Sequence, residues 1–503
     1  MLRLRRYLKP YTLMLAATII LLFAQANFDL ALPDYLARIV NTGIQQGGID
    51  SPVPQAMRQE TLQRLVLFMS AEDEAAVRAA YTLVEPGSTV AEEYADTYPL
   101  VAREAIYVRN DLTQEEIDRI SKPVAQSLTI VAALQQAMAD PQSAQMLGGA
   151  QGGFDLSRIP PGTDIFAVLG QLPPAQRTQI ADMADERFAA LGDSFVSQAA
   201  IRQVRAEYEA LGADVSALQT RYISSTGAIM LLITLLSVTS SVSVGLLSAR
   251  VAAGVSRDLR SDVFKKVESF SSAEFDKFPT ASLITRCTND ITQMQMLTMI
   301  TMRLVFYAPI MGVGGIIRAI DRGPSMWWTI ALAVIVLLSI IVTLIIIVVP
   351  KFRIMQKLID RLNLVARENL SGILVIRAFN MQPFEEERFD KANVDLAETT
   401  LFIARTMAVM MPVMMLILNV LSVTILWVGA HQVAEANMQV GDMMAFLQYA
   451  MQIVFSFLMM SMLFIILPRA SVSAERVADV LETEPEITDP AEPLPLNGDF
   501  RGE

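Results

Sequence analysis

Arg257-Asp258-Leu259-Arg260-Ser261-Asp262-Val263-Phe264-Lys265-Lys266-Val267 is a charged stretch in a chain that is mostly apolar. It continues through Phe270, Phe275-Asp276-Lys277-Phe278, Thr280-Ala281-Ser282-Leu283-Ile284-Thr285-Arg286 and Asn289-Asp290. A second stretch, Ala366-Arg367-Glu368-Asn369-Leu370-Ser371-Gly372-Ile373-Leu374-Val375-Ile376-Arg377-Ala378-Phe379, follows about eighty residues later. What flanks these two stretches decides their meaning. Each lies between apolar runs long enough to cross a bilayer, because about 30 Å of hydrocarbon at 1.5 Å per helical residue needs roughly 20 positions. The chain must therefore leave the membrane as a helix, turn at a distance and return, which makes each stretch the tip of a lever.

Six such runs lie near Tyr11 to Leu32, Ile223 to Ala249, Met296 to Ile317, Met326 to Val349, Met407 to Ala430 and Met443 to Leu467. With 503 residues, 53% of them apolar and 18% charged, and a mean hydropathy of +0.40, the chain is too apolar for a soluble multidomain protein. Long continuous runs suit helices rather than the alternating short strands of a barrel. The expected fold class is an all-α membrane protein with six transmembrane helices. Basic residues set its orientation. Arg3, Arg5, Arg6 and Lys9 precede the first run, about seven fill Arg250 to Gln295 and about eight fill Lys351 to Thr400. The opposite connections hold only Arg318 and Arg322, so both termini are expected in the cytoplasm of a cell bearing this protein in its plasma membrane.

The net charge of −12 belongs to one region. Between Pro33 and Tyr222 about 14 basic residues face about 25 acidic ones. This span holds an expected extracytoplasmic insert at 47–220, between 1–46 and the transmembrane core at 221–470, with a linker at 471–503. Its pattern is helical: Leu62, Leu65, Val66 and Met69 recur at helical spacing, Ser70 precedes Glu72, Asp73 and Glu74, and Thr113 with Glu116 forms a capping box. Gly192 and Gly212 are expected helix ends, and the tract Gly148 to Gly153 reads as a linker, since no Lys-Ser or Lys-Thr follows it. A single cysteine, Cys287, excludes an internal disulfide, and with one histidine, His431, no metal-ligand cluster of these types forms.

Taken in order, the two charged stretches resemble the intracellular loops of ATP-binding cassette (ABC) exporters of the multidrug or lipid half-transporter type. Ile39-Val40-Asn41-Thr42-Gly43-Ile44 after the first run agrees with this, as does Ser473-Ala474-Glu475-Arg476-Val477 leading to Glu482-Thr483-Glu484-Pro485 after the sixth. The resemblance covers 1–46 and 223–503 and omits the insert. It implies a short transverse helix at each loop tip that docks on a nucleotide-binding domain: Phe264 to Phe270, with Phe264, Lys265, Val267 and Phe270, and Arg367 to Ile373, with Arg367, Glu368, Leu370 and Ile373. It further implies pairing of two halves as a homodimer or heterodimer, ATP and Mg bound in the nucleotide-binding domain, and alternating access for a small hydrophobic substrate such as a drug, lipid or peptide. Leu496 to Glu503 resembles the first strand of that domain. The chain carries no G-x-x-x-x-G-K-[ST] loop, so no catalytic or cofactor-binding residue is expected in it, and no nucleic acid is an expected partner. A naturally split permease with a separate ATPase, and a transporter not driven by ATP, are the alternatives. The scarcity of charge in the spans weighs against an ion-driven carrier.

Methionines crowd the fifth and sixth runs, and adaptable thioethers suit either a substrate cavity or plain helix packing. A copper path would want Cys or His beside them, and neither accompanies them there. Met414, Asn419, Gln452 and Met459 are the candidate cavity residues. Gln25, Asn27 and Asp29 line up toward the outer end of the first run, where Asp29 is expected to be hydrated. Arg303 is expected to snorkel toward water.

Overall fold

A computed structural model describes residues 2–139, 165–173, 177 and 193–487. The glycine tract at 148–153, Gly192 and the stretch from Leu496 lie outside the described residues. In chain order the elements are α1 (Thr12–Arg38), β1 (Ala56–Arg58), α2 (Gln59–Val66), α3 (Ala71–Ala80), β2 (Tyr81–Val84), α4 (Thr89–Tyr94), β3 (Ile106–Arg109), α5 (Gln114–Ala139), α6 (Ile165–Gly170) and α7 (Asp193–Ala210). The chain then runs through α8 (Val215–Glu268), α9 (Ser272–Lys277), α10 (Thr280–Thr285), α11 (Ile291–Met302), α12 (Ala308–Arg322), α13 (Trp327–Ser371), α14 (Ile373–Ala378), α15 (Gln382–Ala434) and α16 (Val440–Glu482). Three π-helical stretches occur: Ile39–Gln45 extends α1, while Arg286–Asp290 and Arg303–Tyr307 join α10 to α11 and α11 to α12 without a break.

Six helices or continuous helical segments among the described residues are long and apolar enough to cross a membrane, as the sequence predicts. α8 has 54 residues, α13 has 45 and α15 has 53. At 1.5 Å per residue α8 is about 80 Å long, so well over half of it projects beyond about 30 Å of hydrocarbon. Two apolar cores hold the bundle. At the end carrying the insert, Leu30 of α1, Met311 of α12, Leu337 of α13, Ile425 of α15 and Tyr449 of α16 pack together. At the opposite end, the loop end, Tyr7, Val255 and Leu259 of α8, Ile291, and Val477 and Val480 of α16 form the second.

The insert has a core of its own, built by Met57, Leu62, Leu65, Ile106, Leu128 and Val204 with their neighbours. Its helices start where side chains cap them. Ser70 Oγ accepts from the Asp73 amide at 3.1 Å, and Thr113 and Glu116 close the predicted capping box, which holds the Glu116 carboxyl below its ordinary range. Gly212 sits at φ +80° just after α7, the left-handed turn that glycine adopts without strain. The insert also contains a three-stranded antiparallel sheet, in the order β1-β3-β2, that the helical pattern did not announce. Strands of three or four residues give too few positions for a period of two to register. Glu207, 2% exposed, ties the sheet to α7 by accepting from the Arg58 amide and guanidinium and from Thr61 Oγ1.

Candidate coupling surface and intramembrane polar sites

At the first loop tip, α8 ends at Glu268, where Ser269 Oγ donates to the Lys266 carbonyl. A new helix starts because Ser271 and Glu274 make a capping box, with the Ser271 amide and hydroxyl each 2.6 Å from Glu274 Oε2. The short tip helix is thus Ser272–Lys277, later than the Phe264 to Phe270 read from the sequence. Phe264, Lys265 and Val267 lie in the last turns of α8, with Phe264 and Lys265 exposed. Phe270 lies in the turn and stacks on Phe278 at 6.1 Å, with Phe275 edge-on at 6.3 Å. These rings pack on one another here, while Phe264 and one side of Phe275 stay exposed.

Two motifs that sequence inspection lists separately meet just above it. Asp290, in the π-helical turn after α10, accepts from Ser473 Oγ at 2.9 Å, while Arg286 donates to the Arg476 carbonyl at 2.7 Å. Glu274 Oε1 accepts from the Glu486 amide at 2.9 Å, so the tip holds the segment that follows α16. These donors pull the Glu274 carboxyl down to about 2, with Ser271 the largest contributor. On the other side, Tyr7 and Tyr11 donate to Asp262 and Asp258 of α8 at 2.7 and 2.8 Å. Gly254 admits the Tyr11 ring, which any side chain there would strike.

The second tip is organised differently. α13 runs on to Ser371, carrying Arg367, Glu368 and Leu370 inside it, and stops at Gly372. The short helix is Ile373–Ala378, none of it buried, so only Ile373 of the expected Arg367 to Ile373 belongs to it. Glu368 accepts from Arg388 across the hairpin, at 2.5 Å. Leu370 and Leu374 are each 78% exposed and Phe379 74% exposed. Leu374 and Phe379 were not singled out by sequence, although both stand in the quoted stretch.

The four candidate cavity residues do not share one environment. Met414 is buried in the insert-end core. Asn419, five residues on and so on a different face of α15, is exposed, and Met459 is half-buried. Gln452 has a specific role: Pro33 has no N–H to offer the Asp29 carbonyl four residues earlier, and Gln452 Nε2 donates to that carbonyl at 3.4 Å. Asp29, expected to be hydrated, is half-buried and has partners within the protein. Its carboxylate accepts from Ser237 Oγ at 2.5 Å and Tyr307 Oη at 2.6 Å, which joins spans one, two and three. Arg303, one turn from Tyr307, donates to Ser241 at 3.0 Å.

Nearer the insert, Asp34 of α1 pairs with Arg318 and with Arg322 of α12 (3.0 Å to the latter), and Arg322 pairs with Asp442 of α16 at 3.0 Å. Asn41 Oδ1 accepts from the Gly441 amide at 2.7 Å, supplying the partner that the first turn of α16 lacks. A side chain at Gly441 would collide with Asn41 and the Ala37 carbonyl, so this approach needs glycine. Toward the loop end an apolar cavity of about 350 Å³ opens between spans one, two and three, lined by Leu15, Ile19, Leu259, Leu297, Met302 and Phe306 among others.

Six helices long and apolar enough to cross a membrane, several of them extended well beyond it at one end, define a multi-pass membrane protein. The chain belongs to the ABC transporter transmembrane region family, whose model matches residues 204–457, just over half of it. It is 39% identical over 280 residues to an uncharacterized ABC transporter ATP-binding protein of Mycobacterium bovis, covering 56% of this chain and 48% of that protein. An uncharacterized ABC transporter ATP-binding protein of Bacillus subtilis is 33% identical over 264 residues, 52% of this chain and 46% of its own. A protein of Mycobacterium bovis named fatty acid ABC transporter ATP-binding/permease protein is 27% identical over 246 residues, 47% of this chain and 38% of its own. The chain spans about half the length of the curated relatives it matches.

Proposed function

We propose that this chain is the membrane part of an ATP-driven exporter that carries a hydrophobic or amphipathic substrate across the plasma membrane by alternating access. The observation that carries the reading is the bare apolar second tip, Leu370, Leu374 and Phe379, at the end of helices far longer than a bilayer needs. Exposed leucine and phenylalanine on a rigid lever suit a groove on a moving partner, and apolar anchors surrounded by charge are how such interfaces hold. The partner in this reading is a nucleotide-binding domain on the cytoplasmic side, which would hold ATP and Mg. The residues here would hold neither, and contribute only binding and transmission of its closure.

The first tip supports the same direction of force. Asp290 and Arg286 fasten the end of α16, and Glu274 the segment after it, to the first loop, so displacement of that part of the chain would move α8 and α11 with it. In this reading 1–46 and 221–470 form the transport core, 471–503 leads to the nucleotide-binding domain, 47–220 stands outside the cell, and two such halves form the pathway. The name of the relative assigned to fatty acids places that protein among carriers of amphipathic molecules, which supports the same broad class here. The test is uptake of a fluorescent amphiphile into inside-out vesicles holding the full-length protein. ATP-dependent uptake, abolished by a nucleotide that is not hydrolysed, is the expected result. Uptake driven by an ion gradient without ATP overturns it.

A further inference from the structure

A domain inserted between two membrane spans is ordinarily tethered by exposed segments that few contacts cross. The two connections of this insert are built otherwise. α1 runs on through the π-helical stretch Ile39–Gln45, and soon after it Ile49 and Val53 are buried in the core of the insert. On the return, Leu211 and Val215 are buried in that same core, although Val215 is already the first residue of α8. Leu218, a turn further along α8, packs against it as well. The second membrane helix thus begins inside the insert.

The two connections also lock onto each other. Gly48 sits at φ +84°, and a Cβ there would lie 2.9 Å from both the Leu218 carbonyl oxygen and Gln219 Cα, so this approach needs glycine. The Gly48 amide donates to the Thr42 carbonyl at 2.8 Å, and Gln219 Nε2 donates to the Gly43 carbonyl at 2.8 Å. From the insert side, the Leu100 amide donates to the Leu211 carbonyl at 3.1 Å and the Gln55 amide to Tyr208 Oη at 2.8 Å. Asp214 fixes the start of α8 by accepting from the Ala217 amide at 3.0 Å. Bending at this joint would expose apolar side chains and break several of these bonds together.

From this we infer that the insert is a rigid arm of spans one and two rather than a tethered domain, and that it carries every movement of their insert ends. A domain of this length has a radius of gyration of about 15 Å, so a tilt of about 10° at the joint displaces its far side, about 30 Å away, by about 5 Å. Conversely, whatever holds the insert in place holds the ends of both spans. That those ends move at all rests on the transport reading, whereas the rigidity of the joint does not, and the two are measured separately.

The test uses spin-label distances in the full-length protein in nanodiscs, with Cys287→Ser removing the native thiol. Labels are placed pairwise through Glu92→Cys in α4, Ser224→Cys in α8 and Glu435→Cys just after α15, all at exposed positions. The distance from 92 to 224, which crosses the joint, should be narrow and the same without nucleotide and with nucleotide trapped. The distances from 224 to 435 and from 92 to 435 should shift together on trapping. Gly48→Val should broaden the distribution across the joint. Independently of any variant, the amides of Gly48 and Leu218 should exchange with solvent as slowly as that of Val204 in the insert core. A broad or nucleotide-dependent distance across the joint, one that Gly48→Val leaves unaltered, fast exchange at both amides, or a distance from 92 to 435 that stays still while that from 224 to 435 moves overturns the inference. A narrow, constant distance across the joint with neither of the other two moving counts against the transport reading alone.

Discussion

The two lever tips come from stretches that look alike in sequence, each a charged helix with a few apolar residues, yet they differ in what covers those residues. At the first tip Phe270 and Phe278 stack with Phe275 edge-on, Glu274 fixes the chain beyond α16 to the same spot, and Phe264 is the most exposed aromatic, at 60%. At the second tip Leu370, Leu374 and Phe379 point away from the rest of the chain. A tip that is filled from within transmits motion through its own chain, whereas a bare tip needs a partner. On the proposed reading the first tip holds the linker and the second docks, and each role has its own way to fail.

The largest effect is expected at the filled tip. Phe278 is buried, stacks on Phe270 and carries the Arg286 guanidinium 4.8 Å from its ring centre. Phe278→Ala should cost roughly 3–5 kcal/mol, the usual range for emptying a buried aromatic site. Thermal unfolding of the purified protein should show it as a clear fall in midpoint. A midpoint unchanged from wild type would mean the rings do not hold this tip together.

At the bare tip the effect should fall on coupling and leave stability alone. Phe379→Ser should shift the unfolding midpoint hardly at all, since an exposed substitution stays within about 0.5 kcal/mol. ATP-dependent uptake should drop about thirtyfold, corresponding to roughly 2 kcal/mol for an interface anchor. Leu374→Ser should act in the same direction. Full uptake in both variants would remove the contrast between the tips.

A smaller effect is expected at the opposite end of the same helices, which serves as a control on the comparison. Arg322 bridges Asp34 and Asp442 and so ties α1 to α16 near the insert. Its side chain is 33% exposed, which weakens each pair through screening. Arg322→Gln should cost about 1 kcal/mol in thermal unfolding and leave nucleotide-stimulated movement of the loop tips, followed by spin-label distances, unchanged. A variant that alters those distances would show that the two ends are coupled.

How much of this was legible depends on the distance over which each feature is decided. The six spans announce themselves because about twenty apolar residues in a row have one physical solution in lipid. The tip helices were displaced by a few residues because their limits are set locally, by the Ser271 and Glu274 box and by the break at Gly372, within stretches that read as continuous helix. Both signals stand in the sequence. Asp29 is different: its partners Ser237 and Tyr307 are more than two hundred residues away, and nothing in the run around Asp29 names them. Pro33 did hold a clue, since it frees the carbonyl that Gln452 then fills. Asn41 and Gly441 likewise explain each other only once α1 and α16 lie side by side.

The smallest and most selective effect concerns the clamp itself. Glu274 is held ionised by the Ser271 hydroxyl and by the amides of Glu486 and Ser271, which lower its carboxyl to about 2 from an ordinary value of 4.5. A carboxyl whose folded value is depressed stabilises the fold above its unfolded value and loses that contribution as pH falls toward the folded one. The clamp should therefore be constant from neutral pH down to about 4.5 and weaken between there and about 2. Hydrogen exchange at the Glu486 amide reads it directly: protection should hold at neutral pH in the wild type, persist in part in Glu274→Gln, whose side-chain oxygen still accepts, and vanish in Glu274→Ala. Equal protection in all three would mean that the Glu486 amide is not held by the Glu274 side chain, and the first tip would then lose its claim to hold the linker.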